Sequence, residues 1–426
     1  MGLPLNKRDY DVFISYAHSE SAFVEQLYDW LQHSAGLQVW WDERDLAAGA
    51  FLATGLQKAI ERCRAVILIA SDESLQRGWV KAEYNAAFDE STKFSDFRIV
   101  ALRMGNANVG DLMRGVSWID VPEQSISVDV AVAVIRALYR TENTPNPHKA
   151  RDVYVSASWN TDDNLSANAV CKSLVDQGLR LIGDSRDQKG FGSGDRVREI
   201  MSSCGVFVAI VPYRGEETAT RGAAPYKYFL REIDLANELQ LPSVVIADPR
   251  IHHAGGDDQN WLTMKTEDQI IPDEVQHSLR SLWDLWREPA QPHYVFCAMD
   301  LDSEIVRLGG PIRQLIQNVT SMPTKVGNEI HEGNPENVNA AVRLAVVDAF
   351  LVIADLTDDN VNVCIEAGMA LAVGTNVELL AAGPNRRPPF MLRERNLRTY
   401  KDDVQQVGLI HTVSRPYRRR VINAEL

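Results

Sequence analysis

Short apolar runs alternate with longer amphipathic stretches in the first third of the chain. The amphipathic stretches cover residues 21–33 and 53–62, and their apolar positions recur at helical spacing. Buried strands that alternate with helices are typical of a parallel sheet covered on both faces. The pattern therefore predicts a doubly wound α/β fold, with strands at residues 11–15, 37–41, 65–70 and 97–102.

The same order of strands is repeated further along the chain. Residues 143–147 contain two prolines and predict a linker, because proline blocks the continuation of a helix. Beyond it, strands at 152–156, 179–184 and 205–210 follow their counterparts at offsets of about 141 residues. A third unit begins at 294–298 and has its own central apolar run. The sequence thus predicts three consecutive flavodoxin- or Rossmann-like parallel-sheet domains, over residues 1–142, 148–290 and 293–426.

Each unit carries a glutamate on the helix that follows a central apolar strand. These residues are Glu83, Glu232 and Glu366. Ligands of open α/β sheets bind in a crevice outside the carboxyl ends of the strands, and a glutamate early in such a helix would face it. Glutamate is also a good helix former, so its position alone does not establish a site.

Three ordered motifs in the first unit resemble TIR domains of the NAD⁺-cleaving kind. Residues 11–16 read DVFISY, similar to the first strand of that family, and residues 41–49 read WDERDLAAG, similar to its mobile BB loop. Trp79 and Glu83 match the WxxxE motif of the enzymatic branch. The resemblance implies that Glu83 performs the chemistry, that Trp79 walls the pocket, and that NAD⁺ is a substrate, with no separate cofactor. It also implies that Tyr16 and Phe51 contact the nicotinamide end, that Asp42 lies beside the substrate, and that TIR domains self-associate.

A fixed carboxylate suits the reaction that this resemblance implies. Breaking the nicotinamide–ribose bond expels a neutral leaving group from a pyridinium, so the transition state resembles an oxocarbenium ion. Little acid catalysis is needed, and a carboxylate that binds the ribose hydroxyls and offsets positive charge helps most.

The second unit retains only part of these motifs. Tyr228 replaces the tryptophan four residues before Glu232, and Ala157 stands where Tyr16 stands in the first unit. The loop at 185–194 holds three glycines, which allow close backbone approach to a phosphate. Catalysis at Glu232, ligand sensing, and a packing or assembly role all remain open.

The third unit resembles the nucleoside 2-deoxyribosyltransferase-like family. Residues 354–370 contain an Asp-bearing strand end, an Asn-containing turn and a Glu-x-Gly-x-Ala sequence. The resemblance implies that Glu366 attacks the anomeric carbon of a sugar and that Asp355 helps the base to depart. That family also includes nucleotide-binding domains without turnover, so catalysis, ligand sensing and a structural role stay open.

Charge and cysteine content restrict the partners. A net charge of −14 argues against general binding to nucleic acid or an anionic membrane. Residues 386–420 nevertheless hold ten Lys/Arg and three Asp/Glu, which indicates a solvated or intramolecular face, or a site for a nucleotide or nucleic-acid-containing partner. Five separated cysteines without a CxxC pair suit reduced thiols in the cytoplasm, and we expect no metal site. Because no apolar run approaches the ~20 residues of a membrane span, we expect no membrane association.

The function predicted from the sequence is therefore an NAD⁺ nucleosidase. A regulated, toxin-like effector of bacterial anti-phage defence would fit the appended units, which would hold the enzyme inactive or sense a trigger. One alternative is a non-catalytic TIR scaffold that assembles partners. Another is an N-glycosidic-bond enzyme that acts through the third unit, with the TIR units as its scaffold.

Overall fold

The structure of the chain is a computed structural model. The structure describes residues 8–41, 52–76, 78–94, 97–108, 117–139, 151–158, 164–184, 196–216, 224–251, 261–289, 293–299, 310–327, 329–330, 338–357, 360–384, 386–389, 392 and 395–422.

The first unit is a five-stranded parallel sheet in the order β2-β1-β3-β4-β5. Val12 on β1 lies opposite Val39 of β2 on one side and Ala65 of β3 on the other. The strands are β1 Tyr10–Ser15, β2 Val39–Trp40, β3 Cys63–Ala70, β4 Arg98–Met104 and β5 Trp118–Val121. The helices are α1 Ser21–Asp29, which continues as a π-helical turn over Trp30–Ser34, α2 Leu52–Glu61, α3 Asp72–Gln76, α4 Gly78–Lys93 and α5 Val128–Tyr139.

The second unit has six strands in the order β10-β9-β8-β6-β7-β16. The last of these comes from the far end of the chain and pairs antiparallel with β7. The strands are β6 Arg151–Ser156, β7 Leu179–Gly183, β8 Val206–Val211, β9 Ser243–Ala247, β10 Leu262–Thr263 and β16 Arg420–Ile422. The helices are α6 Asn164–Asp176, α7 Arg196–Ser202, α8 Lys227–Glu238 and α9 Asp273–Leu285.

The third unit is again a five-stranded parallel sheet, in the order β12-β11-β13-β14-β15. Its strands are β11 Val295–Ala298, β12 Thr324–Lys325, β13 Leu351–Asp355, β14 Asn376–Ala382 and β15 Leu397–Tyr400. Its helices are α10 Pro311–Thr320, α11 Val338–Val347, α12 Val361–Ala372 and α13 Asp403–Ser414.

The central strands are apolar on both faces because helices cover both sides of each sheet. Every residue of β8 and β13 is buried, as is nearly all of β3. Continuous apolar runs of this kind are characteristic of buried parallel strands. The predicted α/β fold is confirmed: the chain forms three mostly parallel sheets, with β16 as an antiparallel edge strand of the second.

The first and third units share one hydrophobic core. Helix α5 of the first unit packs against α10 and α13 of the third, and side chains from both units belong to a single buried cluster. His411 on α13 is fully buried and reaches across the boundary. Its Nδ1 lies 2.6 Å from the carbonyl oxygen of Ala35 and its Nε2 lies 2.8 Å from the hydroxyl of Tyr139. The carbonyl can only accept, so Nδ1 carries the proton and Nε2 accepts from Tyr139.

The C-terminal basic segment contacts the other two units through its arginines. Arg415 donates to both carboxylate oxygens of Asp11, at 2.6 and 2.9 Å. Arg419 donates to Asp152 at 2.7 Å and to the hydroxyl of Ser203 at 2.8 Å. Carboxylates within the chain already bind the guanidinium groups of Arg415 and Arg419, as expected for an intramolecular face. A nucleotide or nucleic-acid-containing partner at this segment stays a prediction. The assignment of the whole range 293–426 to the third unit needs correction, because β16 belongs to the second sheet.

Candidate functional site

The site of the first unit is built around Glu83, at the carboxyl edge of its sheet. Ser15 is the last residue of β1, and Glu83 lies in the second turn of α4. The Ser15 hydroxyl donates a hydrogen bond to Oε2 of Glu83, and both residues are buried. Strand β1 and helix α4 therefore bring a hydroxyl and a carboxylate together where ligands of open α/β sheets bind.

Helix α4 is held on the sheet by a second buried carboxylate. Glu90 follows Glu83 by seven residues, so the two lie on the same face of the helix. Arg8 donates to Glu90 at 2.6 Å and to the carbonyl oxygen of Cys63, the first residue of β3, also at 2.6 Å. The guanidinium group of Arg8 thus ties the helix that carries Glu83 to the strand beneath it.

A carboxylate in this position can stabilise positive charge strongly. Glu83 is only 3% exposed, so little water screens its charge. Burial of a carboxylate costs free energy unless hydrogen bonds compensate, and the Ser15 hydroxyl supplies one such bond. The arrangement resembles the fixed, desolvated charge that enzymes place next to a developing cation.

Tyr16 directly follows β1 and packs into the hydrophobic core. It belongs to the core cluster that contains Val12 and Ile14, and its hydroxyl accepts a hydrogen bond from Nε1 of Trp41 at 2.9 Å. The structure therefore pairs Glu83 with Ser15, while it packs Tyr16 against Trp41. The nicotinamide contact assigned to Tyr16 by family resemblance stays a prediction.

Three other predicted site residues fall wholly or partly outside the described structure. Asp42 and Phe51 lie outside the described residues. Trp79 belongs to α4, one turn before Glu83, and its side chain is outside the described part. Their roles stay predictions.

Ser15 is the site residue that sequence reasoning missed. It was visible as the last residue of a largely apolar strand that also holds Asp11, two positions after Phe13 and therefore on the same face. A small polar residue that ends a buried strand at the ligand edge was the available signal.

In the third unit, the two predicted site residues have different surroundings. The Asp355 carboxylate accepts from the backbone N–H of Thr357, the hydroxyl of Tyr400 at 2.7 Å and the amide of Gln406 at 2.8 Å. Asp355 is thus part of a closed network at the end of β13. In contrast, Glu366 on α12 has no hydrogen-bond partner among the described residues. Burial raises the pKa of Glu366 to about 7.

The carboxyl group of Glu366 lies near Gly327, a residue without a side chain. A Cβ atom added at Gly327 would lie 3.5 Å from Oε1 of Glu366. The glycine thus leaves the backbone close to this carboxyl group, which combines a raised pKa with an unused hydrogen-bonding capacity. Such groups occur more often at functional sites than elsewhere.

In the second unit, the predicted residue Glu232 accepts a hydrogen bond from the hydroxyl of Tyr154 at 3.2 Å. Tyr154 lies on β6 at the position that corresponds to Phe13 of β1. Burial first, and then the nearby charges of Glu232 and Asp184, raise the pKa of Tyr154 well above its ordinary value. Tyr154 therefore stays protonated and donates to Glu232 throughout the physiological pH range.

Among the described residues, no cluster of three or more His, Cys, Asp or Glu side chains is suited to a metal ion. Within the same residues, no helix has both the length and the apolar character needed to cross a membrane.

Comparison with known proteins identifies the first unit. A family model described as "TIR domain" matches residues 12–131. The NAD(+) hydrolase TcpA of Theionarchaea archaeon (strain DG-70-1) is 36% identical over 76 residues, which cover 18% of this chain and 23% of that protein. The stimulator of interferon genes protein of Magallana gigas is 29% identical over 139 residues, or 32% of each protein. The probable 2' cyclic ADP-D-ribose synthase TcpO of Methanobrevibacter olleyae is 28% identical over 85 residues, which cover 20% of this chain and 25% of that protein.

The matches span about a third or less of the length of these relatives. The similarity therefore concerns one domain, and it includes the strand that ends in Ser15 and the helix that carries Glu83. Residues 12–131 of the chain are a TIR domain.

Proposed function

We propose that the TIR domain cleaves NAD⁺ at its nicotinamide–ribose bond, with Glu83 as the carboxylate that stabilises the transition state. The observation that carries the proposal is the buried Glu83 carboxylate, held by the Ser15 hydroxyl at the carboxyl edge of the sheet. Two relatives of this domain, named as an NAD(+) hydrolase and a probable cyclic ADP-ribose synthase, support the choice of substrate.

The residues fit the charge changes of this reaction. When the bond between the ribose C1′ and the pyridinium nitrogen breaks, its electron pair leaves with nicotinamide, which departs as a neutral molecule. Positive charge develops on the ribose ring, and the Glu83 carboxylate offsets it. Water then attacks C1′ and loses a proton, which gives ADP-ribose. Attack by a hydroxyl of the same ADP-ribose unit would give a cyclic product instead.

The test compares two glutamine variants in the full-length protein. Glu83→Gln removes the buried carboxylate charge and should lower nicotinamide release by at least ~10²-fold, the effect typical of losing one electrostatic stabiliser. Glu25→Gln, at an exposed position of α1, serves as the matched control and should leave the rate unchanged. Nicotinamide and ADP-ribose are separated by chromatography after incubation with NAD⁺. A folded Glu83→Gln protein with nearly wild-type activity would refute the assignment.

Self-association belongs to the same proposal. In a regulated effector, the activity depends on assembly, so that the resting cell keeps its NAD⁺. The face of the TIR domain formed by α5 is already packed against the third unit, so assembly would use the remaining faces. We expect NAD⁺ cleavage to rise more steeply than linearly with protein concentration. A strictly proportional rate from a protein that remains monomeric in light scattering would exclude this part of the proposal.

A second candidate function rests on Glu366 in the third unit. A carboxyl group with a pKa of about 7 and no hydrogen-bond partner among the described residues is suited to attack or protonate at an N-glycosidic bond. Asp355 is a poorer candidate for helping the base to depart, because its carboxylate already accepts hydrogen bonds from Tyr400 and Gln406.

The two candidate activities can be separated in one protein. The Glu83→Gln variant is incubated with a 2′-deoxynucleoside and a different free base, and base exchange or hydrolysis is followed by chromatography. Loss of this activity in Glu83→Gln/Glu366→Ala would support the third unit as the catalyst. If neither NAD⁺ nor a deoxynucleoside is cleaved by the wild-type protein at any concentration, the non-catalytic scaffold remains.

A further inference from the structure

Three hydroxyl groups form a row at the carboxyl edge of the second sheet, on one face of that sheet. Tyr154 and Ser156 are alternate residues of β6 and so lie on the same face of the sheet, and Ser158 follows two residues later. The three are buried or nearly so. Tyr154 donates to Glu232, and the Ser158 hydroxyl accepts a hydrogen bond from Nη2 of Arg214 at 2.8 Å. One end of the row therefore has a carboxylate and the other a guanidinium group.

Ser156, between these two ends, has no hydrogen-bond partner among the residues that the structure describes. It is 2% exposed, and its Oγ is a buried polar atom without a partner in the structure. A buried hydroxyl of this kind costs ~1–3 kcal/mol, and most buried polar groups avoid that cost. The corresponding residue of the first unit, Ser15, bonds to its glutamate, whereas Glu232 bonds to Tyr154 instead. The Ser156 hydroxyl is thus available to a molecule that binds between Glu232 and Arg214.

The row lies at the reversal point of the sheet. From β6 the chain passes to β7 on one side of β6, and it later returns to β8 and β9 on the other side. The neighbouring strands β6 and β8 are therefore followed by connections that run in opposite directions. Ligands of open α/β sheets bind in the crevice at such a point. Arg214 follows β8, and the Asp184 carboxylate follows β7, where Arg196 binds it at 2.7 and 2.8 Å.

We propose that the second unit binds a phosphorylated ribose, as found in a nucleotide or in ADP-ribose, at this row. Ribose hydroxyls donate to the Glu232 carboxylate and bond to the Ser156 hydroxyl, while the phosphate group accepts hydrogen bonds from Arg214. Arginine suits this role because its guanidinium group donates to two phosphate oxygens at once. Binding involves no bond-breaking step, and it does not depend on the activity proposed for the first unit.

The sharpest test uses the unpartnered hydroxyl. Ser156→Ala removes a buried polar atom that forms no hydrogen bond in the free protein. The variant should therefore fold, and its unfolding temperature should equal that of wild type or slightly exceed it. In the same variant, affinity for ADP-ribose at this site should fall about 10-fold, because the bound ligand loses a hydrogen bond. A serine with a purely structural role would not give equal or higher stability in the free protein together with weaker binding of ADP-ribose.

Binding is measured by calorimetry in full-length Glu83→Gln protein, with ADP-ribose, ribose 5-phosphate and adenosine as probes. Glu232→Gln tests the carboxylate, and Glu238→Gln on the same helix is the matched control, because Glu238 pairs with Arg198 near the surface. We expect ADP-ribose and ribose 5-phosphate to bind, adenosine to bind at least 10-fold more weakly, and Arg214→Gln to abolish that difference.

Several results would overturn the proposal. They are no heat of binding for either phosphorylated probe, unchanged affinity in both Ser156→Ala and Glu232→Gln, or equal effects of Glu232→Gln and Glu238→Gln. Failure of the proposed NAD⁺ cleavage is distinguished from these, since it would leave the binding of ADP-ribose and its sensitivity to Ser156→Ala intact.

Discussion

Three glutamates hold the same place in the three units, but their immediate partners differ. Glu83 accepts from Ser15, Glu232 accepts from Tyr154, and Glu366 has no partner among the described residues. The burial of a carboxylate is costly unless hydrogen bonds compensate. In the first two units, a hydroxyl from the first strand of the unit compensates for this burial. In the third, the carboxyl group instead keeps its proton to a higher pH.

The raised pKa of Glu366 makes a prediction for stability. The folded protein holds the proton up to a pKa of about 7, whereas the ordinary value is 4.5. Between these values the folded state binds more protons than the unfolded chain, so the free energy of unfolding falls as the pH rises. Glu366→Gln removes the penalty, and we expect it to stabilise the protein by about 1–2 kcal/mol at pH 8, with little effect at pH 4.5.

The measurement is urea unfolding of wild type and variant at pH 4.5, 6 and 8. The exposed Glu25 provides the control, since Glu25→Gln should give no pH-dependent difference. A stabilisation by Glu366→Gln that is the same at all three pH values would mean that Glu366 ionises normally.

The strands and helices could be predicted because their patterns are local. Residues 65–70 were expected as a strand, and β3 is Cys63–Ala70; residues 53–62 were expected as a helix, and α2 is Leu52–Glu61. The expected helix at 21–33 ends as an α-helix at Asp29, where a π-helical turn begins. Such differences at the ends of elements are set by packing and hydrogen bonds that periodicity does not record.

The site was predictable only in part, for the same reason. Glu83 was found from its motif, but its bond to Ser15 joins residues 68 positions apart. The packing of α5 against α10 and α13 and the antiparallel pairing of β16 with β7 also depend on contacts between distant segments. An apolar pattern shows that a helix or strand face must be buried, and a basic pattern shows that charges need partners. Neither pattern specifies which distant segment supplies the contact.

At the level of one element, the position of α4 depends on the buried ion pair between Arg8 and Glu90. Both side chains are almost inaccessible, with 0% and 3% exposure. We expect Arg8→Met to destabilise the protein by about 3–5 kcal/mol, because Glu90 would keep a buried charge without its main partner. NAD⁺ cleavage should fall as well, since Glu83 lies on the same helix.

The chain offers a matched control for this prediction. Arg62 and Asp9 form an exposed pair, with 51% and 56% of their side chains accessible. Because exposed pairs contribute about 1 kcal/mol or less, Arg62→Met should have a small effect. Chemical unfolding and the rate of nicotinamide release are the readouts. Similar losses in the two variants would show that α4 does not rely on Arg8.

In the whole molecule, the C-terminal segment connects the units at equivalent points. Asp11 and Asp152 are both the second residue of the first strand of their unit. Each accepts hydrogen bonds from an arginine of that segment, Arg415 for Asp11 and Arg419 for Asp152. These contacts lie towards the amino ends of the strands, so the opposite edges, which carry Glu83 and Glu232, do not take part in them. The first and second units are thus both bound to the C-terminal segment away from their candidate sites.

The last prediction follows from this arrangement and concerns Arg419. Its guanidinium group is 3% exposed, and Asp152, which also binds Arg180, lies in the same buried cluster. Arg419→Met leaves the buried Asp152 carboxylate with only one of its two arginine partners. We therefore expect the stability of the second unit to fall by about 2–4 kcal/mol. Neighbouring Arg418 lies over the ring of Tyr139, and Arg418→Met should cost about 1 kcal/mol or less. Chemical unfolding and limited proteolysis measure both variants. If Arg419→Met unfolds like wild type but loses affinity for single-stranded DNA, the basic segment serves a polyanionic partner and the intramolecular role is wrong.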